Sequence, residues 1–362
     1  MNPLNSVVLG CTGLVGRRFV HRLACHPWFK LTGLAASSRS AGLDFGDLQQ
    51  TPGDTLPKGI LAMRIHDLDD LDNLCRDAKI AFCALPGRIA EPLEPALRQR
   101  GLRVFTNAAS HRMDPDIPIL IPEVNPDHLE LARAQTRLEG GAIVTNANCV
   151  TAGLTMTLAP LVSLGLARVH LVTCQALSGA GQKGPRAIAM QANVLPYIEG
   201  EEEKITQETR RILGSLESGQ IRPRQIDISV TCCRVPVIHG HLLHVTAEMA
   251  APVNTEEVRQ ALASFKGRPQ ALRLPSAPPS PLIVRQEPDR PQPRLDVNAG
   301  GPGAGSGMAV TIGRLRVQGN RILFTALVHN LERGAAGTSI LNAELAVKQR
   351  LIPGAELAGG SP

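Results

Sequence analysis

The chain has 362 residues, 43% hydrophobic and 19% charged, with a formal net charge of +6. That length favours two domains, or one with a large insertion, in an ordinary globular protein. No apolar run reaches membrane-spanning length and the N-terminus shows no signal-peptide pattern, so a cytoplasmic location is expected; the dispersed basic residues and 2% aromatic content argue against a nucleic-acid stacking surface and suit a site for small anions.

In chain order, Ser6 to Leu9 reads as a buried strand, followed by Leu14, Val15, Phe19, Val20 and Leu23 at helical spacing. Further strands are expected at Leu31 to Ala36, Lys79 to Leu85 and Leu102 to Thr106, with a helix at Ile89 to Arg98. Alternating strands and helices predict a doubly wound parallel sheet running to about residue 148. From Ala167 strands dominate: Val169 to Gln175, Ile226 to Cys233 and His241 to Ala250. A helix from Thr255 to Phe265 begins at a capping box of Asn254 and Glu257. Residues 267 to 307 hold nine prolines and read as an irregular excursion before strands at Met308 to Leu315 and Ile322 to Val328. The segment Gly337 to Leu351 reads as an amphipathic helix with Ile340, Leu341, Leu345, Val347 and Leu351 on its apolar face, returning to the first domain.

The loop Gly10-Cys11-Thr12-Gly13-Leu14-Val15-Gly16 joins the first strand to the first helix. Glycines there let backbone N–H groups approach a pyrophosphate at the helix N-terminus, and the lack of a following Gly-Lys-Ser/Thr excludes a P-loop. The second strand ends in Ser37-Ser38-Arg39-Ser40 without a carboxylate. Hydroxyls and a guanidinium suit a 2′-phosphate, which favours NADP over NAD.

Eight cysteines are scattered without a CxxC pair, which argues for reduced thiols and against a disulfide framework or a zinc site; no metal is expected. Cys149, in Asn146-Ala147-Asn148-Cys149, stands at a strand-to-helix turn. A helix N-terminus lowers a thiol pKa and offers N–H groups to an oxyanion, so Cys149 is the candidate nucleophile. A thiol works with a nearby base, and His239, His241 and His244 all lie near one strand start, where spacing does not choose among them. Arg112 lies in a loop after a parallel strand and is a candidate anion contact. Glu201-Glu202-Glu203-Lys204 reads, taken alone, as a solvated helix start.

These segments together resemble aspartate-semialdehyde dehydrogenase, in its archaeal and fungal-like branch. The ordered matches are the GxTGxVG loop, SSRSAG (37–42), ALPG (84–87), IPEVNP (121–126), NANC (146–149), QALSGAG (175–181), NVLPYIEGEEEK (193–204), RVPVIHGH (234–241), RPQPRLD (290–296), GMAVTIGRLR (307–316) and RGAAGTSILNAEL (333–345). The resemblance implies NADPH-dependent reductive dephosphorylation of 4-phospho-L-aspartate through a cysteine thioester, in a homodimer or homotetramer acting on a small acyl phosphate, with inorganic phosphate as co-product. It implies an α/β fold: a Rossmann domain over 1–148, completed by a C-terminal helix within 335–362, and an α+β catalytic and dimerisation domain over 149–334 with a mostly antiparallel sheet.

The same resemblance places Cys149 as nucleophile, His241 as general acid/base, Asn148 with the Cys149 N–H as oxyanion site, and Gln175 as an orienting residue. Arg234 would grip the substrate carboxylate, Glu201 the amino group, and Lys204 and Arg112 the phosphate, with Glu202 an alternative to Glu201. Gly179, Asn330 and Gly334 join the glycine loop and Ser37 to Ser40 as expected cofactor contacts. Ala147, Val150 and Gln182-Lys183 depart from the branch pattern beside the expected site. They leave open a related activity, reduction of a CoA thioester such as malonyl-CoA. N-acetyl-glutamyl-phosphate reductase is a more distant relative. A third reading, a non-catalytic NADP-binding regulatory protein, rests on the net charge.

Overall fold

The computed structural model describes residues 2–48, 55–183 and 187–352 of the chain. Seven parallel strands come first: β1 Leu4–Leu9, β2 Phe29–Ala36, β3 Ile65–Asp67, β4 Ile80–Cys83, β5 Arg103–Thr106, β6 Ile119–Leu120 and β7 Ala142–Asn146. Their order is β3-β2-β1-β4-β5-β7-β6. Val7, Val8 and Leu9 are fully buried because helices cover both faces of this sheet. The strand order reverses between β1 and β4, which opens a crevice at the carboxyl ends of these strands. The short strands β3 and β6 were not expected from the sequence; each has too few residues to show a period.

The second sheet is built from β8 Leu166–Gln175, β11 Asp227–Arg234, β12 His241–Met249, β13 Leu282–Val284, β14 Val310–Gln318 and β15 Arg321–Val328; a separate hairpin pairs β9 Ser215–Glu217 with β10 Gln220–Arg222. The order is β11-β8-β12-β15-β14-β13. The three central pairings are antiparallel and the two edge pairings, β11/β8 and β13/β14, are parallel. Along β8, buried Val169, Leu171 and Thr173 alternate with exposed Arg168, His170 and Val172, so one face is packed and the other is open. The Pro-rich stretch is more than an irregular excursion, since it supplies the edge strand β13 and the short helices Arg268–Ala271 and Pro293–Asp296.

The helix Gly337–Lys348 corrects one expectation. It is not amphipathic: every residue from Gly337 to Val347 is buried. Ile340, Leu341, Leu345 and Val347 join Val8, Phe19 and Phe82 in one core. The polar positions between them have internal partners. Thr338 donates to the Arg333 carbonyl, Asn107 Nδ2 donates to Ser339 Oγ, Asn342 Nδ2 donates to the Leu120 carbonyl, and Glu344 accepts from the Ser276 N–H. Satisfied polar groups lose most of their reason to face water. Residues 353–362 of the expected C-terminal segment lie outside the described residues. Among the described residues no helix is long and apolar enough to cross a membrane.

Candidate active site

Strand β7 ends at Asn146, and after Ala147-Asn148 the chain turns into the helix Cys149–Leu158. Asn148 is its N-cap, with Oδ1 accepting from the N–H of Val150 at 2.8 Å and of Thr151 at 3.3 Å. This fixes the Cys149 sulfur at the helix N-terminus. Gly334 presses on it from the other side: a β-carbon there would lie 2.6 Å from Cys149 Cβ. Arg333 anchors that contact. Fully buried, it forms a bidentate pair with Glu123 at 2.8 and 2.9 Å.

His241 opens β12, and its Nε2 lies 3.2 Å from Cys149 Sγ. Its Nδ1 accepts from the Ala176 N–H at 3.0 Å. The three candidate histidines are thus separated. His239 bonds Ser178 Oγ and stacks on His329, and His244 bonds Thr325 Oγ1 on the open sheet face. Gly240, at φ +95°, makes the bend that delivers His241, and Asn330 Oδ1 accepts from the Gly240 N–H at 3.0 Å. Asn330 Nδ2 also donates to Ser178 Oγ, so this buried residue ties two loops together. A β-carbon on Gly179 would come within 2.9 Å of His241 Nε2, so only bare backbone fits there.

Around this pair the remaining groups converge. Glu201 Oε1 accepts from Asn148 Nδ2 at 2.9 Å and from Gln175 Nε2 at 3.3 Å. Arg234 Nη1 donates to the Ala176 carbonyl at 2.8 Å and to Gln175 Oε1 at 3.5 Å. Glu202 turns away and accepts from the Cys232 N–H at 2.9 Å, so Glu201 is the acid that faces the cluster. Arg112 is buried, donating to Glu208 Oε1 at 2.8 Å and to the Asn107 carbonyl at 2.9 Å, while its Nε lacks a hydrogen-bond partner. Lys204 stands apart. It is exposed, and its Nζ lies 3.6 Å from where a Gly200 β-carbon would be.

Sequence reasoning missed Glu208. Its second oxygen accepts from the Asn148 N–H at 2.7 Å, so one buried carboxylate holds both Arg112 and the residue before the nucleophile. The available signal was spacing: Glu201 and Glu208 are two turns apart on one helix face.

The electrostatics correct a second expectation. The Cys149 thiol is not depressed. Burial pushes it up to about 12, with Glu201 adding, while Arg112, Arg234 and the Val150 N–H pull the other way. Burial outweighs the helix end. The His241 imidazole is pulled down to about 3 by burial, then by Arg234 and His329.

At the crevice, Gly10 (φ +83°) allows the tight turn: a β-carbon there would sit 2.4 Å from the Ala84 carbonyl, and one on Gly16 would sit 2.0 Å from the Gly10 carbonyl. Gly10 and Cys11 donate to the Ala35 carbonyl, tying the loop to β2. Thr12, Gly13, Leu14 and Val15 are partly exposed. The helix Leu14–Leu23 begins at Gly13 with no side-chain cap and no acid in its first turn. Its free N–H groups therefore fit a pyrophosphate. Ser37, Ser38 and Arg39 are exposed on the turn after β2, with Ser40 N bonded back to the Ser37 carbonyl at 2.8 Å. The side chains of Gln182 and Lys183 lie outside the described residues. Ala147 and Val150 border the nucleophile in sequence only, since both side chains are buried in the second core.

A parallel dinucleotide-type crevice joined to a half-buried cysteine against a buried histidine defines a thiol-dependent oxidoreductase class. Residues 5–132 match the semialdehyde dehydrogenase NAD binding domain, and residues 158–333 match the semialdehyde dehydrogenase dimerisation domain. An aspartate-semialdehyde dehydrogenase of Archaeoglobus fulgidus is 45% identical over 354 residues, covering 95% of this chain and 98% of that protein. A malonyl CoA reductase (NADP) of Metallosphaera sedula is 36% identical, covering 96% of this chain and 98% of that protein. The crystal structure of aspartate semialdehyde dehydrogenase with NADP from Candida albicans superposes with a TM-score of 0.87 at 33% identity, covering 96% of this chain and all of that one. The chain belongs to the aspartate-semialdehyde dehydrogenase family.

Proposed function

We propose that this protein reduces 4-phospho-L-aspartate to L-aspartate 4-semialdehyde with NADPH, a step of aspartate-family amino-acid biosynthesis. The observation that carries this reading is the Cys149–His241 contact of 3.2 Å, set among Arg234, Glu201 and Arg112 where the two sheets meet. Sulfur attack on the acyl carbon forms a thioester and releases phosphate. NADPH, when bound, supplies the hydride that reduces this thioester. The resulting thiohemiacetal collapses to the aldehyde and frees Cys149.

In this reading Arg234 takes the substrate carboxylate, Glu201 the amino group, and Arg112 with Lys204 the phosphate. Gln175 orients the acyl group, and Asn148 with the Cys149 N–H faces the oxyanion. His241, beside the sulfur, acts as the general acid/base. Residues 10 to 16 would hold the pyrophosphate of NADP, and Ser37, Ser38, Arg39 and Ser40 its 2′-phosphate, with Gly179, Asn330 and Gly334 along the nicotinamide side. Residues 1–148 with the C-terminal helix form the cofactor domain, and 149–334 the catalytic and dimerisation domain. The protein works in the cytoplasm as a homodimer or homotetramer. The dimerisation-domain match and the open face of the second sheet support assembly.

A second reading keeps the cysteine chemistry and changes the acyl group to a CoA thioester; the 36% identical malonyl CoA reductase supports it. Steady-state assays decide between them. Phosphate- and NADP-dependent oxidation of aspartate semialdehyde, with no turnover of malonyl-CoA, is the expected result. Malonyl-CoA reduction without aspartyl-phosphate activity would overturn it.

A further inference from the structure

One side of the helix Glu201–Ile212 grips both halves of the reacting cluster. Glu208 is buried there and divides its carboxylate: Oε1 accepts from Arg112 Nη1 at 2.8 Å, and Oε2 accepts from the Asn148 N–H at 2.7 Å. One turn on, Arg211 Nη2 donates to the carbonyls of Asp114 at 2.6 Å and Ile117 at 3.2 Å, which fastens the loop that carries Arg112. Two turns back, Glu201 Oε1 accepts from Asn148 Nδ2 at 2.9 Å. Asn148 is thus held twice, by its side chain through Glu201 and by its backbone through Glu208. Arg112 uses Nη1 on Glu208 and Nη2 on the Asn107 carbonyl, and its buried Nε has no hydrogen-bond partner. A buried donor left unpaired in an otherwise bonded cluster is placed for an incoming acceptor, here a phosphate oxygen.

Resting on the acyl-phosphate reading above, we propose that Glu208 is a positioning residue for acyl transfer: it holds the phosphate-binding Arg112 and the Asn148-Cys149 turn at one fixed spacing, so that the departing phosphate and the oxyanion are met together. Both of its oxygens are taken by the protein, so it touches neither substrate nor sulfur. It acts through Arg112 by aiming the unpaired Nε. It acts through Asn148 by keeping the helix N-cap seated. A substrate ammonium on Glu201 competes with Asn148 Nδ2 for the same oxygen and frees that amide for the oxyanion, while the backbone bond to Glu208 persists. Bridging two donors needs a carboxylate. An amide has one acceptor, and its NH₂ group would meet whichever donor is left, donor against donor.

Phosphate- and NADP-dependent oxidation of aspartate semialdehyde tests this, with kcat/KM for phosphate measured in the wild type, Glu208→Gln, Arg112→Ala and the double variant. Glu208→Gln is expected to raise the KM for phosphate about 10-fold and to lower kcat about 10-fold, with the KM for NADP within about 2-fold. Without Arg112 only the Asn148 branch remains. The same substitution should then cost about 10-fold in kcat/KM in Arg112→Ala protein, instead of about 100-fold. A loss of about 100-fold in both backgrounds, or a KM for NADP that rises as much as that for phosphate, would overturn the proposal. Glu208→Asp keeps the charge but is one methylene short of bridging both donors, so it should lose about 10-fold. A wild-type value there would overturn the proposal even if the glutamine variant fails to fold. A second readout needs no turnover: the concentration of inorganic phosphate that half-protects Cys149 from iodoacetamide should rise about 10-fold in Glu208→Gln and Glu208→Asp. Equal half-protection in variant and wild type, or no protection in either, would contradict it. Wild-type turnover tests the functional reading separately, since protection needs only phosphate.

Discussion

The two ends of the crevice handle charge in opposite ways. At the turn after β2, Ser37, Ser38 and Arg39 stand in solvent. Around Cys149, Arg112, Glu208, Arg234 and Gln175 are all buried, and each is bonded to another member of the cluster or to its backbone. An exposed cation changes affinity modestly because water screens it. A buried one leaves a partner stranded when it is removed. The reacting end is therefore rigid and costly to alter, and the adenosine end is open to tuning.

This contrast ranks the expected effects of substitution. Cys149→Ser should reduce NADPH oxidation with aspartyl phosphate by at least about 10⁴-fold while leaving NADPH binding intact, as measured by fluorescence titration. Substantial residual turnover would remove Cys149 from the chemistry. Arg234→Lys keeps the charge but loses the planar fork, so kcat/KM for the acyl phosphate should fall about 10- to 100-fold with little change in the KM for NADPH. At the open end, Arg39→Ala should raise the KM for NADPH about 10-fold and leave that for NADH unchanged. An equal loss for both cofactors would place Arg39 away from the 2′-phosphate.

The smallest effect concerns stability. Glu94 is fully buried, with one oxygen bonded by Thr106 and the other without a hydrogen bond and 4.0 Å from His111 Nε2, and burial pushes its carboxyl up to about 7 against the pull of Thr106 and His111. In the unfolded chain it titrates near 4.3, so between these values the folded state binds more protons. Stability from this group is complete at low pH and is lost as pH rises towards 7. Glu94→Gln should therefore melt a few degrees above the wild type at pH 8, with the gap closing by pH 5. A gap that widens on acidification would contradict this assignment.

Much of this was legible in the chain because the signals were local. The strand–glycine–helix order announced the crevice, and a strand-to-helix turn singled out Cys149. His241 was not separable from His239 and His244 by spacing, because only the return of β12 beside β8 brings one ring to the sulfur. Glu208 escaped notice because its partners, Arg112 and Asn148, are 96 and 60 residues away. Val150 and Ala147 seemed poised to select the acyl group, yet their side chains point into the core. Adjacency in sequence places a residue near a site without saying which way it faces. The thiol failed a local argument in the same manner: the helix end is real, but burial dominates it. The C-terminal helix read as two-sided because polar residues separate its apolar ones, yet those polar residues find internal partners and the helix is buried all round.

The central claim is that Cys149 carries the acyl group. Mixing the protein with 4-phospho-L-aspartate without NADPH, quenching in acid and mapping the peptides by mass spectrometry tests it directly. The account predicts a single aspartyl adduct on Cys149 that disappears on adding NADPH as semialdehyde forms. Phosphate release and turnover at normal rates with no adduct on Cys149, or with the adduct elsewhere, would contradict it.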